Sequence, residues 1–250
     1  MTDLRGKVAL ITGSARGIGK AIAERFASLG ANIVVNYSSD EKNARETVDN
    51  IRKQNVRAVA VKADITKVAE IEALFSVTLQ EFGKLDIVVA NAGREIVDLP
   101  IVNATEADFD RIFAANDKGA YFTLQYAAKH IADNGRIIYV GSSSTAFAIP
   151  SLGLYGGSKT APRYWVEVLA KEIGHRGITV NSILPTAIDG AGVFTDSHAN
   201  DSLRKQIIAS GVMGRMGTVN DVADAAEYFA GHLSSFVSGQ HLLLSGGAAY

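Results

Sequence analysis

The chain has 250 residues and is 47% hydrophobic, enough apolar material to bury one sizeable core, so a single domain is expected. Its 25 lysines and arginines balance 26 aspartates and glutamates, which removes any net-charge argument for a nucleic acid or anionic membrane and leaves a small molecule as the expected partner. The absence of cysteine excludes disulfides, thiolate catalysis and cysteine-ligated metals; with no apolar signal segment after Met1 and no apolar run near the ~18 residues that span a bilayer, a cytoplasmic protein is expected.

In chain order, short β-branched runs predict strands at Val8–Thr12, Asn32–Asn36, Ala58–Val61, Ile87–Ala90, Arg136–Val140, Thr179–Leu184 and His241–Leu244. Between them, apolar residues three and four apart predict helices over Ile18–Leu29, Glu41–Gln54, Val68–Phe82 and Tyr164–Ile173. This βα alternation defines an α/β fold, a doubly wound, seven-stranded parallel sheet of the Rossmann kind. No linker or short-period repeat divides residues 1–250.

The first strand runs directly into Gly13-Ser-Ala-Arg-Gly17-Ile-Gly19 and a helix. Gly13 suits the tight turn, Gly17 the approach of a pyrophosphate, and Gly19 close helix–strand packing, with Ile18 between them at a dipole-favoured anion site. Three glycines after a strand also fit a plain turn. At the end of the second strand, Asn36, Tyr37 and Ser38 occupy the stretch where an enzyme selective for NAD usually places an acid against the ribose. Asn36 brings no charge to repel a 2′-phosphate, Ser38 has a donor for it and Arg16 a cation, so NADPH is expected, with NADH as second choice. The competing reading leaves Arg16 solvated and takes the acid from Asp40 or Glu41.

Taken together, Thr12-Gly-Ser-Ala-Arg-Gly-Ile-Gly19, Asp64-Ile65, Ala90-Asn-Ala-Gly93, Asn116, Gly141-Ser142, Tyr155-Gly-Gly-Ser-Lys159 and Asn181-Ser-Ile-Leu-Pro185 resemble the short-chain dehydrogenase/reductase family over essentially the whole chain. The resemblance implies that Asp64 and Ile65 hold adenine, while Asn91, Ala92 and Gly93 pack on the adenosine side and stabilise the central sheet. It makes Tyr155 the general acid and base, has Lys159 also bind the nicotinamide ribose, gives Ser142 the substrate oxygen ahead of Ser143 and Ser144, and places a relay water on Asn116. It also places Pro185 and the backbone of Ile188 at the cofactor, and implies a homotetramer with Tyr164–Ile173 and Leu242–Leu244 near subunit contacts, although a core explains those residues as well. Considered singly, Asp64 and Asn116 read as helix caps, Ser142 as a turn residue and Tyr155 with Lys159 as a surface pair.

The chemistry agrees with that assignment. Hydride transfer to a carbonyl builds negative charge on oxygen, which calls for a proton donor and a stabilising cation. Tyr155 and Lys159, at i and i+4 on one helix face, supply both, and the ammonium acts to lower a phenol pKa of about 10.

Several features depart from the family pattern. Thr186 follows Pro185 where glycine is usual, and Gly190 aligns with a threonine that helps hold the carboxamide or pyrophosphate; Thr186 or Thr195 is the available substitute. Pro162 predicts a kink in, or a later start of, the tyrosine helix. The polar stretch Pro185–Asp201 reads equally as surface loop or substrate lid. Substrate-pocket residues are expected at Arg94, Glu95 and Ile96, at Ser144 and Ile149, and across Gly190–His198, with Glu95 and Asp189 more simply solvated loop acids. The histidines at 130, 175, 198, 232 and 241 show no metal-site spacing, so no metal is expected. The expected activity is NADPH-dependent reduction of a ketone or aldehyde. A 3-oxoacyl reductase acting on acyl-carrier-protein is an alternative, although Asp133 replaces one basic position of the expected patch while Arg176 keeps another. A non-catalytic NADPH sensor is a further one, although such relatives often lack the tyrosine or lysine that this chain retains.

Overall fold

The computed structural model describes residues 2–196 and 201–247. In chain order the main elements are β1 (Val8–Ile11), α1 (Gly17–Ser28), β2 (Asn32–Tyr37), α2 (Glu41–Arg52), β3 (Ala58–Lys62), α3 (Val68–Phe82), β4 (Ile87–Ala90), α4 (Glu106–Phe113), α5 (Gly119–His130), β5 (Arg136–Val140), α6 (Gly153–Ile173), β6 (Thr179–Pro185), β7 (Ile188–Asp189), α7 (Asp201–Ser210), β8 (Gly217–Thr218), α8 (Val219–Ala230) and β9 (His241–Leu244). Seven strands form one parallel sheet in the order β3-β2-β1-β4-β5-β6-β9, as the βα rhythm requires.

Strand alternation divides the core between the two faces of the sheet. Ala9 and Ile11 of β1 join Ile33 and Val35 of β2 against Ile22 and Phe26 of α1 and Phe229 of α8. The intervening Leu10 and Val34 point the other way and pack with Leu74 and Phe75 of α3, Leu124 of α5 and Val166 of α6. A strand buried on both faces must be apolar at every position, which is why Val8–Ile11 reads as a continuous run rather than an alternating one.

Strand order reverses between β1 and β4, so the loops leaving their carboxyl ends diverge and open a crevice above Ile11 and Ala90. Three sequence expectations need correction. The tyrosine helix starts at Gly153, ahead of Tyr155, and runs without a break through Pro162 to Ile173. Proline forfeits one helical bond but buries its ring in the core, so the helix neither stops nor starts late. Pro185–Asp201 is not a bare loop: it contains β7, which pairs with β8, and a single turn at Gly192–Phe194, and Asp201 already belongs to α7. Ser197, His198 and Asn200 lie outside the described residues. Finally, Tyr164, Leu242 and Leu243 are exposed, so the core accounts for Val166 and Ala170 of α6 but not for these three.

Candidate active site

A single cavity of about 1590 Å³ occupies the crevice and runs from the glycine loop to α7. At one end the three loop glycines each avoid a different obstruction. A β-carbon on Gly13 would stand 2.9 Å from the Ala92 Cα, and φ at this residue is +63°, so only glycine fits the turn. On Gly19 it would stand 2.5 Å from the Gly13 carbonyl and 2.6 Å from the Asn91 amide nitrogen, so α1 packs directly on the turn that precedes it. Gly17 has φ +59° and opens α1, whose amino terminus no side chain caps. The first-turn amides are therefore available to an anion.

Asn91 ties this loop to β4. Its Nδ2 donates to the Thr12 carbonyl at 2.9 Å and the Gly13 carbonyl at 3.2 Å, while the Thr12 hydroxyl accepts the Asn91 and Ala92 N–H groups, both at 3.0 Å. Asn36, expected only to bring no charge, also has a structural role. Its side chain is buried, with Oδ1 accepting the Gly13 N–H at 3.0 Å and Nδ2 donating to the Ala63 carbonyl at 3.0 Å. Its amide holds the glycine loop against β3, and its contribution to a phosphate pocket is the absence of charge rather than a contact.

Arg16, Tyr37, Ser38, Asp64 and Ile65 line the same cavity. Asp64 does not cap α3. That position belongs to Lys67, and the Asp64 carboxylate instead accepts the Thr66 N–H at 3.0 Å and the Thr66 hydroxyl at 2.9 Å. Asp40 caps α2 by accepting from Asn43, and Glu41 pairs with Arg45, so both acids of the competing reading already have partners.

At the other end, α6 presents Tyr155 and Lys159 one turn apart, facing Ser142 at the end of β5. Lys159 is 5% exposed; its Nζ donates to the Val140 carbonyl at 3.3 Å and lies 5.5 Å from the Tyr139 ring centre. Burial lowers its pKa to about 8, with the Glu95 charge acting in the opposite direction. Burial also pushes the Tyr155 phenol up, the Glu95 charge adds to this, and the Ser142 hydroxyl opposes it. Ser142 accepts from the Ser144 N–H at 3.2 Å and the Ser144 hydroxyl at 2.9 Å, which leaves its own proton for another acceptor. A β-carbon on Gly93 would stand 2.9 Å from Nζ, so glycine at this position lets the ammonium pack against the β4 loop.

Asn116 is not a helix cap. It lies in a π-helical stretch, Ala114–Lys118, that joins α4 to α5, and it is fully buried. Its Oδ1 accepts the Arg94 N–H at 2.7 Å, and its Nδ2 donates to the Arg94 carbonyl at 2.8 Å and the Ser158 hydroxyl at 3.0 Å. It thereby joins the loop after β4 to the catalytic helix beside Lys159.

The segment after β6 lines the crevice beside the glycine loop. Its Gly190 carbonyl would lie 3.6 Å from a β-carbon on Gly17. Gly190 has φ +82° and donates to the Phe194 carbonyl at 3.1 Å, a backbone conformation that threonine resists. Both candidate substitutes line the cavity, with their hydroxyl protons already used: Thr186 Oγ1 donates to the Leu244 carbonyl at 3.3 Å and Thr195 Oγ1 to the Gly192 carbonyl at 2.7 Å. Pro185 and Ile188 line the cavity. Asp189 stays exposed, as expected of a loop acid, but it pairs with Arg204 of α7, which also donates to the Phe194 and Asp196 carbonyls at 2.9 Å. Nor is Glu95 solely in water: its Oε2 accepts the Val193 N–H at 3.0 Å. Sequence reading missed the apolar Leu203 and Ile207 of α7, which enter the cavity wall only through the tertiary fold, and Arg204, which holds the segment after β6. No cluster of metal-ligating side chains occurs among the described residues.

A glycine-lined anion cradle at the switch point, joined to a Ser–Tyr–Lys set in one cavity, defines a dinucleotide-dependent oxidoreductase. The comparisons with known proteins agree. A family model described as "Enoyl-(Acyl carrier protein) reductase" matches residues 13–249. The hydroxynaphthalene reductase-like protein Arp2 of Metarhizium majus is 42% identical, covering 98% of this chain and 96% of its own. Among solved structures, the reductase LugOII, described as promiscuous and as catalysing keto-reduction at C1 in lugdunomycin biosynthesis, is 35% identical with a TM-score of 0.91 over 99% of each chain. A Burkholderia cenocepacia short-chain dehydrogenase in complex with NADP is 30% identical with a TM-score of 0.91 over 98% of each chain. This chain belongs to the short-chain dehydrogenase/reductase family, and it is an NAD(P)-dependent oxidoreductase acting on CH–OH or C=O groups.

Proposed function

We propose that this protein is an NADPH-dependent carbonyl reductase that interconverts a ketone or aldehyde with its alcohol. The observation that carries the reading is the placing of Ser142, Tyr155 and Lys159 in the same cavity as the Gly13–Gly19 cradle. The cofactor, when bound, supplies the hydride. Ser142 orients the carbonyl oxygen, Tyr155 delivers the proton to it, and the Lys159 ammonium steadies the negative charge left on the phenol oxygen. Asn116 acts through Arg94 and Ser158, holding the loop and helix that flank Lys159.

The preference for the 2′-phosphorylated cofactor is supported by Arg16 and Ser38 in the cavity wall, by the uncharged Asn36, and by the prior engagement of Asp40 and Glu41. A relative described in complex with NADP and relatives named as reductases support the same reading. An acyl-carrier-protein substrate is disfavoured: Arg176 pairs with Asp133 at 2.8 Å and donates to the Ala128 and Ile131 carbonyls, so the retained base of that patch faces its own fold. Exposed Tyr164, Leu242 and Leu243 fit subunit contacts of a homotetramer. No described helix is long and apolar enough to cross a membrane.

The test is a panel of ketones, aldehydes and alcohols followed through nicotinamide absorbance with each cofactor. Reduction of a ketone or aldehyde with NADPH is the expected result; no turnover of any member with either cofactor would overturn the reading.

A further inference from the structure

The reduction needs no carboxylate, yet Glu95 stands in the cavity wall close enough for its charge to act on both Tyr155 and Lys159. Glu95 follows Gly93, which packs on Lys159, and Arg94, which Asn116 grips by both backbone groups, so the framework that sets the catalytic groups also sets this acid. One of its oxygens accepts the Val193 N–H and rests over Gly192, where any β-carbon would collide with it. The other oxygen, Oε1, has no hydrogen-bond or ion-pair partner among the described residues. Retaining the acid here carries a cost. Removal from water pushes its own pKa up, and its charge makes Tyr155 a weaker proton donor. Glu95 is exposed at the cavity wall, and anchoring the Gly192 turn uses only one acceptor, so the second oxygen is open to a ligand in that cavity.

The same wall presents apolar side chains, including Ile149, Leu152 and Phe194. A ligand shaped for it is an apolar molecule with a single hydrogen-bond donor aimed at Glu95. An ammonium would add a positive charge to a cavity that already holds Lys159 and Arg94, whereas a hydroxyl donates without that repulsion.

We propose that Glu95 is a specificity-determining residue, one oxygen held by the Gly192–Phe194 turn and the other accepting a hydrogen bond from a hydroxyl of the substrate, so that apolar ketones carrying a hydroxyl are selected over the same ketones without it. This rests on the carbonyl-reductase reading above and adds the substrate feature that the site recognises.

The test takes as parent the apolar cyclic or aryl ketone turned over fastest in the panel, together with its isomers bearing one hydroxyl or one amine at each accessible position. The kcat/KM of each relative to the parent is measured in wild type, Glu95→Gln and Glu95→Ala, and binding of the matching alcohols to the enzyme loaded with NADP+ is followed by calorimetry. Because loosening of the Gly192 turn affects parent and isomer together, the ratio isolates the hydroxyl. In wild type at least one hydroxylated isomer should lead the parent by about tenfold or more, the strength of a hydrogen bond to a charged group. That lead and the matching affinity difference should shrink in Glu95→Gln and vanish in Glu95→Ala. A wild type with no favoured hydroxyl isomer, a lead that survives in Glu95→Ala, or a preference for the amine would overturn the proposal. Turnover without hydroxyl preference defeats this inference alone, whereas no turnover across the panel defeats the reading on which it rests.

Discussion

The Asn116 carboxamide and the Arg94 backbone form a closed two-bond ring, with Oδ1 accepting the Arg94 N–H at 2.7 Å and Nδ2 donating to the Arg94 carbonyl at 2.8 Å. Asn116→Ala leaves these backbone groups without their partner, each worth about 1–3 kcal/mol where water cannot replace it. The variant should unfold at a temperature several degrees lower and show reduced kcat, because residues 93–95 lose their fixed position against Lys159. Thermal unfolding and steady-state kinetics on one preparation check both; an unchanged melting temperature would show that the ring holds nothing.

Tyr155 lies on the cavity wall with its pKa raised by burial, so it stays protonated across the neutral range and is ready to donate during reduction. Tyr155→Phe should therefore lower kcat for reduction by roughly 10²–10⁴-fold while leaving cofactor binding in place. In wild type the stabilising ammonium is lost as pH rises through about 8, the Lys159 value, so kcat/KM for reduction should fall above that pH. Alcohol oxidation needs the deprotonated phenol and should gain from rising pH until the lysine charge is gone. Profiles measured in the two directions that ran parallel would exclude Tyr155 as the shared acid and base.

Lys159 is kept for chemistry at the expense of stability. Its folded pKa of about 8 lies below the 10.5 of an unfolded lysine, so between those values the unfolded chain binds more protons and stability rises with pH. The cost of the buried charge is thus fully present below about pH 8. Lys159→Met should remove it, abolishing turnover while stabilising the fold at pH 7 by on the order of 1–3 kcal/mol. That gain should fade as pH approaches 10.5. Urea unfolding at several pH values checks the sign; a variant less stable at pH 7 would mean that the bond to the Val140 carbonyl outweighs the desolvation.

Arg16 borders the cavity beside Ser38, in the position proposed to hold a 2′-phosphate. Arg16→Ala should lower the ratio of kcat/KM with NADPH to that with NADH by roughly tenfold or more, since a charge-assisted contact is lost with only one of the two cofactors. Preference of the wild type for NADH, or an unchanged ratio in the variant, would remove Arg16 from this role.

Seven parallel strands were legible in the sequence: the central ones, such as β1 and β4, are buried on both faces and so apolar throughout, and the edge strands β3 and β9 show as short β-branched or apolar runs. The sequence by itself also marked the glycine loop and the Tyr155–Lys159 pair, whose chemistry depends on local spacing of three to four residues along one element. What it left open were contacts between residues far apart in the chain. Glu95 and Asp189 read as solvated acids, since nothing local shows that one meets Val193 and the other Arg204. Asn36 read only as an uncharged residue where an acid is usual, and the folded chain adds that its amide turns inward to Gly13 and Ala63. Pro162 read as a kink in, or a later start of, the helix because propensity counts the lost bond, and only packing adds the buried ring that offsets it. In each case a polar or constrained side chain found its partner through tertiary structure, where burial decides which hydrogen bonds must be made.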